Sequence, residues 1–225
     1  MYNFASISMQ YIMSELLTFG LFAFTSFLAI INPMGVTPVF LAMTTDLSPK
    51  QQRKTAFKAV LTAFVVLTLF AFAGRLLFQF FGISVNGFRI AGGVIFFIMG
   101  YDMLNARLSR LKYDDQDIEK ELDDIAITPL GIPMIAGPGA ITNAIVLMQD
   151  AKDLQHQIVL PIAIFLVLGA TFISLVGGGT LMKFMGDTGN KIMLKLMGLI
   201  MMVIAVEFFF AGLKPIIQDM LHIAP

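Results

Sequence analysis

The sequence predicts an all-α integral membrane protein of six transmembrane helices, built as two inverted three-helix repeats with discontinuous first and fourth helices. Three observations point there. The 225-residue chain is 57% hydrophobic and 13% charged, with a mean hydropathy of +0.83. Soluble domains sit near half apolar and about a quarter charged. Six apolar windows approach or exceed the roughly 20 residues needed to cross a hydrocarbon core of about 30 Å. Two short Pro- and Gly-containing motifs recur in the two halves at a near-constant offset.

The windows fall at residues 14–44, 58–80, 89–106, 126–149, 158–181 and 195–213. The first, 31 residues long, exceeds one straight span; if it and the fourth are split or re-entrant, the count rises to eight segments. The chain, 1–225, is expected to form a single transmembrane domain: a first repeat over 14–106, a polar cytoplasmic linker over 107–125 and a second repeat over 126–213. Asp114, Asp115 and Asp117 in the linker resemble a magnesium-binding cluster, but no partner carboxylate motif occurs elsewhere, so the segment reads as a solvated connector. The first dozen residues carry no Lys or Arg, so the basic region of a signal peptide is missing and the first span is expected to be retained.

Charge sets the expected orientation. Lys50, Arg53, Lys54 and Lys58, then Arg107, Arg110, Lys112 and Lys120, then Lys183, Lys191 and Lys195 fall in loops on one side. Arg75, Arg89, Lys152 and Lys214 fall on the other. The positive-inside rule places the richer side in the cytoplasm and both termini outside. Fifteen basic and fifteen acidic residues leave no net charge to attract nucleic acid. Cysteine is absent, which excludes disulfides, thiolate metal sites and cysteine nucleophiles. Only His156 and His222 are available as imidazole ligands, so no metal or other cofactor is expected.

The repeat rests on two anchors. "INPMGVT" (31–37) aligns with "AGPGAIT" (136–142) at an offset of 105, matching Pro33 with Pro138 and Thr37 with Thr142. "RIAGG" (89–93) aligns with "KLMGL" (195–199) at an offset of 106, matching Gly92 with Gly198. Three spans per half invert the second half, a common transporter architecture. Proline lacks an N–H and clashes with the carbonyl four residues earlier, so Pro33 and Pro38 should break the first window and Pro129, Pro133 and Pro138 the fourth. Gly137, the twelfth of 24 residues in its window, sits near mid-membrane. Within lipid, freed backbone groups are tolerated only where buried in protein or lining a cavity. Half-helix N-termini, at Gly35 to Thr37 and Gly139 to Thr142, suit a carboxylate; half-helix C-termini, near Ile31 and Ala136, suit an ammonium group or cation. A zwitterion matches both, with Asn32 or Asn143 helping. The competing reading is a pair of simple proline kinks with glycines present for packing. Glu207, within the last span, is a candidate for ion coupling, against the alternative of a snorkelling acid without a role. Arg89 and Asp102 are expected at span ends facing water or headgroups. The many Phe and Met residues are expected to face lipid or fill the core.

"NPMGVTPVF", "FGISVNGFRIAGG" (81–93) and "PLGIPMIAGPGAIT" (129–142), in that order, resemble the MarC family of bacterial and archaeal membrane proteins, also called SnatA-type, over roughly residues 14–213. The resemblance implies six spans, both termini outside, and discontinuous first and fourth helices. It also implies transport of small neutral amino acids such as glycine and alanine, and a cytoplasmic membrane location. Its motif positions transfer to Asn32, Pro33, Gly35, Gly137, Pro138, Gly139 and Thr142. The expected function is therefore a non-enzymatic secondary transporter working by alternating access, in a small cavity walled by Gly and Ala. No nucleotide-binding loop is present, so an H⁺ or Na⁺ gradient is the expected drive. The alternative is a channel or exporter for another small polar solute.

Overall fold

Seven helical elements make up the computed structural model, which describes residues 4–44, 47–105, 125–151 and 153–221. They are α1 (Phe4–Ile31), α2 (Pro33–Met43), α3 (Pro49–Phe81), α4 (Val85–Leu104), α5 (Ala126–Ile135), α6 (Pro138–Asp150) and α7 (Leu154–Met220). No strand occurs among the described residues. The linker, including Asp114, Asp115 and Asp117, and His222 lie outside the described residues.

Local chemistry sets most of the boundaries. Ser48 and Gln51 form a reciprocal capping box ahead of Pro49, with Ser48 N–H donating to Gln51 Oε1 at 2.9 Å. Gly82 ends α3 in the left-handed conformation, φ 62°. Ser84 Oγ caps α4 by accepting from Gly87 N–H at 2.9 Å, and Asp153 caps α7 by accepting from His156 N–H at 2.9 Å. α5 is a wide, irregular turn of π type. Thr128 and Ile132 inside it are extended, because each precedes a proline.

The side-chain pattern inverts that of a soluble protein. Along α3, Ala56, Ala59, Ala63, Leu67, Ala71 and Gly74 face inward, whereas Phe57, Leu61, Val65, Leu69, Phe72 and Leu76 are exposed. Small residues let membrane helices approach closely and large apolar ones meet lipid. Among the described residues five stretches are long and apolar enough to cross a bilayer, and six if the α5–α6 pair, bent by 58°, counts as one span.

The sequence places a loop at 182–195, yet α7 is helical throughout its 67 residues. A straight helix of that length would run about 100 Å. The contacts show that it doubles back. Val159 lies against Gly20 of α1, and Gly178 against Thr37 of α2, so the first part runs parallel to α1–α2. Asn143 of α6 meets Ser26 of α1 at 3.0 Å, and Gly139 meets Ile30, so α6 runs antiparallel to α1. Gly92 lies against Pro138 and Phe96 against Gly137, which turns α4 back to the direction of α1. The last part of α7 is antiparallel to α4, with Gly198 on Gly100 and Gly212 on Asn86. The reversal therefore falls between Gly178 and Met197, and the apolar stretches on either side of it, Leu154–Gly178 and Lys195–Met220, are each long enough to span a bilayer.

The α4–α7 contact is a seam of small residues. Gly93 and Gly100, with Asn86, repeat every seven residues on α4; Gly198, Ala205 and Gly212 do so on α7. A Cβ built on Gly100 would lie 2.7 Å from Gly198 O and 3.0 Å from Met202 N, and one on Gly93 would lie 2.7 Å from Ala205 O. Backbone meets backbone, so nothing can yield. Gly100→Leu is expected to lower stability by about 1–3 kcal/mol or more, read as thermal unfolding of the purified protein in detergent. Gly169→Leu, where a Cβ meets nothing within 4 Å, should leave it unchanged. Equal losses in both variants would refute the seam.

Candidate functional site

Asn32 interrupts the first span in an unusual way. It adopts the left-handed conformation, φ 47° and ψ 71°, and among the described residues is the one non-glycine to do so. Asparagine tolerates that region better than most residues, because its short polar side chain can bond locally. Here Asn32 Oδ1 accepts from Gly35 N–H at 3.2 Å, while Asn32 O accepts from Gly35 N–H at 2.9 Å and Val36 N–H at 3.2 Å. The N-terminus of α2 is thus closed by its own cap. Gly35 has to be glycine for this: a Cβ there would stand 2.6 Å from Asn32 Nδ2. The donors expected to be free at Gly35 and Val36 are engaged.

The second break differs at the matching residue. Gly137 occupies the cap position of α6 that Asn32 occupies for α2, and it has no side chain with which to cap. Ala136 N–H reaches back to Gly131 O at 2.8 Å and Ile141 N–H to Gly137 O at 2.9 Å. No side chain among the described residues caps the first turn of α6. The two breaks are alike in sequence and unlike in hydrogen bonding.

A cavity of about 70 Å³ lies between them. Ile30, Ile31, Asn32, Gly35, Val36 and Val39 line it from the first break; Met134, Ile135, Gly137, Gly139 and Ala140 line it from the second. α4 supplies Phe96 and Met103, and α7 supplies Met197, Ile200, Met201, Ile204 and Phe208. The expected Gly and Ala residues are present at Gly35, Gly137, Gly139 and Ala140, but most of the wall is Met, Ile and Phe. Among the described residues Asn32 is its one polar side chain, and no ionisable one lines it.

Of the residues singled out from sequence, Asn32, Gly35, Gly137 and Gly139 come together at this cavity. Thr142 and Asn143 line an adjoining chamber with Arg89. Pro33 and Pro138 are buried at helix starts, and Pro138 abuts Gly92. Thr37 points to α7: its hydroxyl donates to Pro33 O at 2.8 Å and sits 2.8 Å from Ser174 Oγ. Glu207 is exposed and lines none of the cavities described. His156 is buried against Phe19 at a ring distance of 5.0 Å and pairs with Asp153 at 2.8 Å. The bond from His156 N–H holds the exposed Asp153 carboxyl below its ordinary pKa. Sequence reasoning missed Phe96, Met134, Met201 and Phe208, which carry no local signal separating a cavity wall from a lipid face.

Residues 17–217 match the family described as MarC family integral membrane protein. A UPF0056 membrane protein of Methanocaldococcus jannaschii is 36% identical, covering 88% of this chain and 97% of that protein. One from Pyrococcus abyssi is 36% identical, covering 87% and 91% respectively. The UPF0056 membrane protein YvbG of Bacillus subtilis is 35% identical, covering 88% and 95%. These names state a membrane protein and no substrate. No solved structure matches the chain.

Proposed function

The chain belongs to the MarC family of integral membrane proteins, and from that premise we propose that it is a secondary transporter of small neutral amino acids working by alternating access. The observation that carries this is the uncapped N-terminus of α6 opening on a cavity of about 70 Å³ between two helix breaks. Helix N-termini carry partial positive charge and unpaired N–H donors. The ligand carboxylate docks on the N–H groups of Gly139 and Ala140. Its ammonium meets carbonyls at the ends of α1 and α5, near Ile31 and Ala136, with Asn32 alongside.

Size and lining support the ligand class. One water position takes roughly 10–15 Å³, so the cavity has room for about half a dozen atoms, as in glycine or alanine. Its apolar wall offers no partner to a charged side chain. The polar groups are one amide and helix ends, which suit binding rather than bond breaking.

Alternation is supported by unlike halves. α6 runs antiparallel to α1, in keeping with inverted halves. Thr37 is tied to Ser174. Their counterparts at the repeat offsets are Thr142 and Thr68, two buried hydroxyls with no partner among the described residues. One half is latched and the other is not. Exchanging the two conformations gives a second state that opens the cavity to the opposite side. Coupling to H⁺ or Na⁺ completes the proposal. Glu207, next to Phe208 in sequence, would act through the helix rather than on the ligand. The setting is a bacterial or archaeal cytoplasmic membrane with both termini outside.

Purified protein in liposomes should take up labelled glycine or alanine under an imposed H⁺ or Na⁺ gradient, with saturation and counterflow. Non-saturating flux without counterflow would establish a channel for small solutes instead. Absence of uptake, exchange and binding for every small neutral amino acid would sink the amino-acid reading.

A further inference from the structure

Arg89, expected to face water or headgroups, lines a second chamber of about 330 Å³ with Thr142, Asn143, Val146, Phe208 and Ala211. The spare polar groups there are donors. Thr142 Oγ1 and Asn143 Nδ2 are buried without a partner among the described residues, and Asn143 Oδ1 is already taken by Ser26 Oγ at 3.0 Å. No acidic side chain lines the chamber to neutralise the guanidinium. A cation at membrane depth is costly without a counter-charge, and buried donors are costly unpaired. A carboxylate in the chamber would pair with the guanidinium, whose planar fork fits its two oxygens, and the hydroxyl of Thr142 and amide of Asn143, on the same wall, are the donors left to turn toward it.

The chamber adjoins the central cavity. Ile30, Gly139 and Phe208 line both. The Phe208 ring stands edge-on to Phe96 at 6.1 Å and presses on Gly139, the first residue of α6 with an N–H.

We infer that Arg89, Thr142 and Asn143 form an outer receiving site for a carboxylate-bearing small molecule, and that the Phe208 ring is the partition between it and the central cavity. The identity of that molecule as an amino acid rests on the transport reading above; the anion site rests on the donors alone. A ligand received at Arg89 exchanges the guanidinium for the N-terminus of α6 as it passes Phe208. Its carboxylate stays solvated by donors throughout.

The absence of cysteine makes the test direct, because an introduced thiol is the only one present. Ala211→Cys reports on the outer chamber and Val36→Cys on the central cavity. Each is placed in the full chain in liposomes and reacted with a methanethiosulfonate reagent. Acetate, glycine and alanine should slow labelling of Ala211→Cys, and glycinamide, which lacks the carboxylate, should not. Adding Arg89→Gln should raise the protecting concentration about tenfold or more, as expected for loss of a charge-assisted contact. Arg89→Lys should recover part of it. An unprotected labelling rate equal to that of Ala211→Cys alone shows that these variants remain folded. Adding Phe208→Ala to Val36→Cys should speed its labelling about tenfold. The inference is overturned if carboxylates give no protection, if Arg89→Gln protects like the native residue, or if Phe208→Ala leaves Val36→Cys as slow as before. Protection by acetate without protection by glycine or alanine would leave the anion site standing and remove the amino-acid reading.

Discussion

Gly139→Leu is expected to abolish binding of labelled alanine while the protein still inserts and purifies as the native chain does. Gly139 lines both chambers. A Cβ there would run into Phe208 and lie 3.2 Å from Ile30 Cγ2. Phe208 cannot simply retreat, because Phe96 stands against it. Leucine adds four carbons at the mouth of the α6 N-terminus and covers the donors proposed to hold the carboxylate. Overpacking a closed site costs about 1–3 kcal/mol, enough to lower yield but not to prevent insertion, which depends on the apolar spans. Adding Phe208→Ala to Gly139→Leu should restore part of the binding, since it removes the ring that the new side chain meets. Binding that survives Gly139→Leu unaided would place the site elsewhere.

The second large effect concerns the cap of α2, and it separates backbone from side chain. Asn32→Ala loses the bond to Gly35 N–H, worth about 1 kcal/mol for a cap. It also forces alanine into the left-handed region at about 1–2 kcal/mol. Asn32→Gly loses the same bond but adopts φ 47° without strain. The expected order of thermal stability is native, then Asn32→Gly, then Asn32→Ala, with the alanine variant lower by about 2–3 kcal/mol as the sum of those terms. Both variants should bind alanine at least several-fold more weakly, because each removes the only polar side chain that lines the cavity among the described residues. Equal stability of the alanine and glycine variants would show that Asn32 is not held in that conformation.

Much of this was legible in the sequence. Pro33 and Pro138, one residue past each break, mark the positions where N–H groups go missing, and the offset between them pairs the breaks. The apolar windows gave most of the spans because a bilayer demands about 20 apolar residues wherever it is crossed. Other features were not legible for stated physical reasons. Residues 182–195 contain Gly186, Asp187 and Gly189, which favour a loop in sequence, yet the segment is helical, as propensity is a weak guide to local conformation. In a membrane, outward and inward faces are both apolar, so Met201 and Phe208 look like any lipid-facing residue until α2 is placed beside them. The difference between Asn32 and Gly137 was visible, but its effect depends on a positive φ that no periodicity reveals. Arg89 lies near a helix end, where snorkelling is the usual fate of arginine. Its inward use appears only when Thr142 and Asn143 arrive from α6.

The seam between α4 and the end of α7 has a mechanical consequence. Two helices that touch carbonyl to glycine every seventh residue have little room to slide. They form one stiff beam, and Phe96, Met103, Met201 and Phe208 ride on it as a fixed wall. Any change in the cavity's shape has to come from the opposite wall, where α2 and α6 hang from Asn32 and Gly137. The beam is then the natural datum for measuring motion: a spectroscopic ruler anchored at the exposed Ile98 and Phe210, on its outer face, should hold its distance while the opposite wall moves.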